Sequence, residues 1–292
     1  MIGGIDLGGT QVRLAVAGED GAIGGIMRAS TPALGGPDGF VKWAVDGFEA
    51  LAPGVRLRLV GIGVPGPCDP VTGHLINPPN LPGWRPGLPL APLLARALDV
   101  PVKLENDANV AGLAEYIRGA GRGARSLAYV TWSTGIGSGL ILGGRLYSGA
   151  HGTAGEVGHM VLDPAGPLCA CGMRGCTEAY ASGTSIARQT GRSAAEVFAA
   201  AAAGDDEMRA VVEKAASMVG LALLNLTNLI DPDVIIVGGG ITNSWSMVSG
   251  SLREPIARSP FVTPARRPRI LRAALGTKVG LVGAVEWARA NL

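Results

Sequence analysis

The chain has 292 residues, enough for two modest domains or one large one. With 47% hydrophobic and 16% charged residues it can build a large core, and a net charge of +2 without a basic block argues against nucleic acid or an anionic membrane as the main partner. The start, Met1-Ile-Gly-Gly-Ile-Asp6, has no basic segment and no cleavable apolar stretch, and no apolar run reaches the ~20 residues of a bilayer span, so a cytoplasmic protein is expected.

Ile2–Leu7 and Val12–Ala17 flank Gly8-Gly9-Thr10 and predict a β-hairpin with a glycine turn. A third strand is expected over Ile23–Ala29, a helix over Phe40–Leu51, and short buried strands over Leu59–Val64 and Val102–Leu104. A helix should begin near Asp107, with Val110, Leu113, Ala114 and Ile117 on its apolar face, and end at the glycines 119–123. The pattern then restarts. Leu127–Trp132 reads as a strand, Ser133-Thr134-Gly135-Ile136-Gly137-Ser138-Gly139 as a glycine-rich turn, and Leu140–Leu142 and Arg145–Tyr147 as two more strands. A helix over Val211–Ile230, a strand over Val234–Val237, the turn Gly238-Gly239-Gly240 and a last helix over Gly280–Ala290 complete the chain.

A strand, glycine turn, strand, strand unit that occurs twice predicts two α/β domains facing one another across a cleft. The expected division is a smaller α/β domain over 1–113, completed by the C-terminal helix 280–292, and a larger one over 114–279 carrying a cysteine-rich loop. Glycine, at 46 residues, clusters at strand ends, as it would where backbone approaches a ligand closely.

Three of the four cysteines fall in Cys169-Ala-Cys171-Gly-Met-Arg-Gly-Cys176, with His159 upstream and Glu178 just downstream. Three thiolates and an imidazole match the ligand set of a closed, structural Zn²⁺ site. The bland alternative is a disulfide plus a spare thiol. Cys68 reads as a thiol outside the cluster, and His74 and His151 as surface or loop residues.

Asp6-Leu-Gly8-Gly9-Thr10 joins a carboxylate to a turn whose backbone N–H groups can hold phosphate oxygens, while Asp6 can hold the water shell of Mg²⁺. Many hairpins carry Gly-Gly only for its backbone freedom. Neither glycine turn is a P-loop or a dinucleotide fingerprint. In Glu105-Asn106-Asp107, Asp107 is either a helix cap or a base that accepts a proton from a substrate hydroxyl, with Asn106 donating to and accepting from neighbouring hydroxyls. In Glu156-Val-Gly-His159, a helical turn would put both polar side chains on one face.

Asp6-Leu-Gly-Gly-Thr10, Glu105-Asn-Asp107, Glu156-Val-Gly-His159, the cysteine cluster with Glu178, and Val237-Gly-Gly-Gly240 occur in the order of the ROK family (repressor, open reading frame, kinase), which the chain resembles over nearly its whole length. Within that family, Asn80-Leu-Pro-Gly-Trp84, after Gly63-Val-Pro-Gly66, is similar to a segment of bacterial glucokinases. The resemblance implies the actin-like ATPase (ribonuclease H-like, hexokinase) fold and ATP-dependent phosphorylation of a hexose such as glucose. It implies Asp107 as catalytic base, and Asn80, Asn106, Asp107, Glu156, His159 and Glu178 at the sugar. It implies Asp6, Gly8, Gly9, Thr10, Gln11, Thr134, Gly135, Gly238, Gly239 and Gly240 at ATP, with Mg²⁺. It also implies His159, Cys169, Cys171 and Cys176 at structural Zn²⁺, and a homo-oligomer, dimer or tetramer. Gln11 stands where many members carry Lys, and Ser138 interrupts a usual glycine run, so both bear on the choice of phosphate donor, ATP or polyphosphate. Family members that are sugar-responsive repressors carry an added N-terminal DNA-binding module, and with a first strand expected from Ile2 the enzyme is expected rather than a repressor.

Overall fold

The computed structural model describes residues 1–78 and 80–292. The chain divides into two compact units, one of residues 1–117, 148–154 and 277–292, the other of residues 118–147 and 155–276.

The first unit is built on a five-stranded sheet with the order β3-β2-β1-β4-β7, formed by β1 (Ile2–Leu7), β2 (Gln11–Ala17), β3 (Ile23–Ser30), β4 (Val60–Val64) and, after a small hairpin of β5 (Cys68–Asp69) and β6 (His74–Leu75), β7 (Val102–Asn106). The first three strands pair antiparallel as the predicted hairpin and its extension, while β1, β4 and β7 run parallel. β1 and β4 are buried along almost their whole length, as central strands covered on both faces must be. One face is covered by α1 (Pro37–Leu51) and α2 (Leu90–Leu98), around Phe40, Phe48, Leu14, Ile62 and Leu94. The C-terminal helix Val279–Ala290 packs on the first unit, where Leu281, Val285 and Ala288 meet Ile2, Ala15 and Leu59. The strand β7 runs two residues further than expected, through Glu105 and Asn106, and feeds directly into α3 (Asp107–Arg118).

The second unit repeats the topology. Its sheet has the order β10-β9-β8-β11-β12, from β8 (Leu127–Trp132), β9 (Ile136–Leu142), β10 (Arg145–Leu146), β11 (Val234–Gly238) and β12 (Arg269–Arg272). Again the hairpin strands are antiparallel, and β8, β11 and β12 are parallel. The predicted glycine turn is shorter than expected. Only Ser133, Thr134 and Gly135 turn, while Gly137, Ser138 and Gly139 lie inside β9, paired with β8.

Helices α4 (Thr177–Ala181), α5 (Gly183–Thr190), α6 (Ala194–Ala202), α7 (Asp206–Ile230) and α8 (Trp245–Arg258) complete this unit. The helix α7 begins five residues before its expected start because Asp205 caps it, accepting from the Met208 N–H at 3.1 Å. Its length and apolarity match those of a membrane span, but more than half of its apolar stretch is buried in the core with Val212, Val219, Leu223 and Leu226.

Candidate active site

In each unit the parallel strands bring their carboxyl ends to one edge of the sheet, the place where open α/β sheets bind ligands. In the first unit the ends of β1 and β7 carry Asp6 and Asn106.

The Gly8-Gly9-Thr10 turn is pinned at several points. The Gly8 N–H donates to the Gln11 carbonyl at 3.0 Å, the Thr31 hydroxyl to the Gly8 carbonyl at 2.7 Å, and the Thr31 N–H to the Thr10 carbonyl at 3.0 Å. A Cβ on Gly9 would stand 2.3 Å from the Asn80 carbonyl oxygen, so only glycine lets the turn lie against Asn80. The structure therefore brings Gly8, Gly9 and Asn80 together, with the side chains of Thr10, Gln11 and Asn80 exposed.

Asp6 is held by Arg13 at 2.6 Å. Burial pushes the Asp6 carboxyl above its ordinary range, and the Arg13 guanidinium opposes that rise. Arg13 also donates to the Thr277 carbonyl at the start of the C-terminal segment. Arg13 is not among the residues expected at the site, although its signal is in the sequence: in the hairpin register it stands directly opposite Asp6, a cross-strand pair of opposite charge.

At the end of β7 the two readings of Asp107 separate. The capping is done by Asn106, whose Oδ1 accepts from the Ala108 N–H at 2.9 Å and the Asn109 N–H at 3.3 Å. Asp107 is the first helical residue, and its exposed carboxylate accepts from the Ala108 N–H at 2.7 Å. Beneath them lies Glu105, only 1% exposed. Its Oε1 accepts from the Asn106 N–H at 2.8 Å and from Asn109 Nδ2 at 2.9 Å, and its Oε2 accepts from the Ser148 hydroxyl at 3.0 Å. Glu105 thus ties the end of β7, the first turn of α3 and the 148–154 segment together. Replacing Glu105 by Ala strands three donors and is expected to cost about 2–3 kcal/mol. Urea unfolding should show this as a lower midpoint at an unchanged slope. Gln, which keeps one acceptor, should lose less, and an unchanged midpoint for Ala would show the three bonds to be idle.

In the second unit the turn after β8 is fastened from α5. The Gly183 N–H donates to the Ser133 carbonyl at 2.8 Å, and the Thr184 N–H and hydroxyl donate to the Thr134 carbonyl at 3.1 and 3.0 Å. Thr134 itself is exposed. Gly238-Gly239-Gly240 follows the end of β11. Gly239 has φ +89°, and a Cβ on it would sit 2.3 Å from the Trp132 carbonyl. The second glycine segment therefore lies against the end of β8, next to Ser133, and the two segments form one surface. Ser138, expected near the phosphate region, is instead buried in mid-strand. Its hydroxyl donates to the Gly155 carbonyl at 2.6 Å and so anchors the backbone before Glu156.

Glu156 precedes a 3₁₀ turn over Val157–His159 without a side-chain cap bond. Glu156 is exposed, and His159 faces the cysteines. The ligand atoms of His159, Cys169, Cys171 and Cys176 all lie within 4.8 Å of one another. His159 Nδ1 is 3.7 Å from Cys169 Sγ, and Cys171 Sγ is 3.7 Å from Cys176 Sγ. A sulfur pair 3.7 Å apart is not a disulfide. It is close to the ~3.8 Å edge of a tetrahedron with zinc–sulfur bonds of ~2.3 Å, so the donor set fits Zn²⁺. Burial, with the neighbouring thiols, pushes Cys176 up to about 12. A bound dication would reverse that balance by stabilising the thiolates.

Glu178, in the first turn of α4, sends Oε2 to the Ile136 N–H at 2.8 Å, directly after the Thr134–Gly135 turn. The remaining thiol, Cys68, is buried on the β5–β6 hairpin and forms no disulfide. His151 is exposed, and His74 Nδ1 lies 3.0 Å from the Thr72 carbonyl.

The ROK family model matches residues 2–291. The chain belongs to the ROK family. A ROK hexokinase from Thermus thermophilus superposes with a TM-score of 0.87 at 36% identity, covering 99% of this chain and 98% of the hexokinase. A ROK family glucokinase from Streptomyces griseus, solved with glucose and AMPPNP, gives a TM-score of 0.82 at 32% identity over 99% of both chains. An N-acetylmannosamine kinase from Yersinia pseudotuberculosis is 34% identical over 99% of this chain and 98% of its own length. The α/β architecture with its two related sheets is accordingly the actin-like ATPase fold of the ROK sugar kinases.

Proposed function

We propose that this ROK protein is an ATP-dependent hexose kinase whose preferred acceptor is glucose, phosphorylated on its 6-hydroxyl. The observation that carries the reading is the exposed Asp107 carboxylate at the end of β7, beside an Asn106 whose side chain already serves as the helix cap. Asp107 accepts the proton of the sugar hydroxyl as its oxygen bonds to the γ-phosphorus. The bond from that phosphorus to the β-phosphate bridging oxygen breaks, and ADP leaves with the electron pair. Phosphoryl transfer asks the protein mainly for such a base, for positioning and for neutralisation of charge.

The Gly8–Thr10 turn, held by the Gly8 N–H to Gln11 carbonyl bond, and the Thr134–Gly135 turn approach the phosphates with their backbone, with Gln11 at the edge of the first. The glycines 238–240 leave room for the adenosine. Mg²⁺ bound with ATP would neutralise phosphate charge, and Asp6, already paired with Arg13, would hold its water shell. His159, Cys169, Cys171 and Cys176 would hold a structural Zn²⁺, four protein ligands being a full tetrahedral set. With Nδ1 on the cysteine side, His159 would keep Nε2–H to donate to a sugar hydroxyl. Glu156 and Glu178 accept from others, and Asn80 and Asn106 complete the sugar contacts.

The choice of glucose rests on the Asn80–Trp84 segment and on the glucose-bound glucokinase relative. The N-acetylmannosamine kinase relative, at a similar identity, favours a second reading in which the acceptor carries an acetamido group. A site built on hydrogen bonds to hydroxyls discriminates through the polar groups that a wrong sugar leaves unpaired. Competition kinetics with glucose, mannose, fructose, N-acetylglucosamine and N-acetylmannosamine should give glucose the highest kcat/KM. A higher value for an acetylated sugar would replace glucose by that acceptor.

A further inference from the structure

We infer that Glu178 couples sugar binding to nucleotide binding, because one of its carboxylate oxygens holds the nucleotide turn while the other is left for the sugar. This deepens the proposed function and rests on its reading of Glu178 as a sugar ligand and of Thr134–Gly135 as a phosphate turn.

The tie is direct. Glu178 Oε2 accepts from the Ile136 N–H at 2.8 Å, a bond strengthened by the charge of the acceptor. A Cβ on Gly135 would stand 2.8 Å from the same oxygen, so any side chain at that position would press on the carboxylate. The other fastenings of the turn come from Gly183 and Thr184, at the start of the helix that follows Glu178. The Ser185 hydroxyl donates to the Glu178 carbonyl at 2.7 Å, which joins that helix end to the backbone of Glu178 itself. The Ser133–Ile136 backbone is therefore clamped between the Glu178 carboxylate and the N-terminus of α5 with its Thr184 hydroxyl, and of these only the Glu178 carboxylate has an oxygen left for a sugar. A sugar hydroxyl donating to Oε1 fixes the carboxylate plane and with it the position of the Ile136 N–H. A nucleotide seated on the turn fixes the same plane from the other side. Binding of either ligand then favours the other, and by linkage the two effects are equal.

The two residues make a reciprocal test. Gly135→Ala lies in the nucleotide turn, but its added methyl meets the far end of a flexible carboxylate, so the carboxylate should yield. Glu178→Ala removes the acceptor for Ile136. Calorimetric titration of glucose, and separately of a non-hydrolysable ATP analogue with Mg²⁺, should be done on each variant, alone and with the other ligand saturating. Melting curves would show that each variant is folded. Glu178→Ala should weaken the analogue on the order of tenfold, the usual worth of a hydrogen bond to a charged group, and abolish the mutual tightening. Gly135→Ala should weaken glucose, and the double variant should lose less than the sum of the two. Glu178→Gln, which keeps an acceptor for the Ile136 N–H, should recover analogue binding. Weakened glucose with unchanged analogue affinity in Glu178→Ala would overturn the coupling and leave the sugar reading standing. Weakened analogue with unchanged glucose would also overturn it, by removing Glu178 from the sugar. If Gly135→Ala fails to fold, the comparison of Glu178→Ala with Glu178→Gln carries the test alone.

Discussion

Asp107→Asn is expected to lower kcat by roughly 10²–10⁴-fold, the usual range for loss of a general base. The substitution keeps the size of the side chain and an oxygen that can accept from the Ala108 N–H, now at 2.7 Å. The end of β7 should survive, because Glu105 and the Asn106 cap still anchor it. Sugar affinity should therefore change little, and kcat and kcat/KM should fall together, the pattern of an interaction made in the transition state. Steady-state kinetics with saturating ATP and Mg²⁺ would show this. Near wild-type turnover by Asp107→Asn would remove Asp107 as the base and return it to the first turn of the helix.

Cys171→Ser is expected to lose bound zinc and to lower the melting temperature by roughly 5–10 °C, as losing a structural metal from a domain of this size would. Cys171 is the appropriate ligand to remove because it is exposed, whereas Cys169 and Cys176 are buried and their removal would also disturb packing. Elemental analysis of the wild type should find about one zinc per chain from the four-ligand set. Glucose affinity should fall as well, since His159 and the loop leading to Glu178 are held by the same ligands. Full zinc content with an unchanged melting temperature would exclude Cys171 from the metal.

Most of the frame of this fold was legible because its signals are local. Alternation and a glycine turn placed the β1–β2 hairpin, and the repeat of that pattern placed the second sheet. The cysteine spacing, with two glycines to bend the backbone, pointed to the cluster that the four ligand atoms form. The errors lie where one residue type serves two purposes. Gly137 and Gly139 looked like turn residues, but they belong to a strand whose pairing with β8 reaches Ile136. Ser138 looked like a break in a phosphate loop and is instead a buried hydroxyl that anchors Gly155.

Other contacts left no local trace. Glu105 acts partly through Asn109, four residues on, and partly through Ser148, which only the folded chain brings near. Thr31 pins the first turn from the far end of β3. Glu178 was read for the sugar alone, and its bond to Ile136 spans the two segments of the second unit that carry separate motifs. The helix α8 escaped notice because Pro255 interrupts its pattern, and β12 because its four residues sit among arginines.

Movement of a phosphoryl group from ATP to a hexose can be followed directly. The most direct measurement is incubation of the purified protein with Mg²⁺, γ-labelled ATP and each hexose in turn, with the labelled product resolved and the position of its phosphate read by ³¹P NMR. Sugar-dependent formation of ADP with an equal amount of label on the 6-oxygen of glucose is expected, and no such product from Asp107→Asn on the same timescale. Sugars that bind, as judged by calorimetry, yet take up no label would contradict it and leave a protein that senses sugar without phosphorylating it.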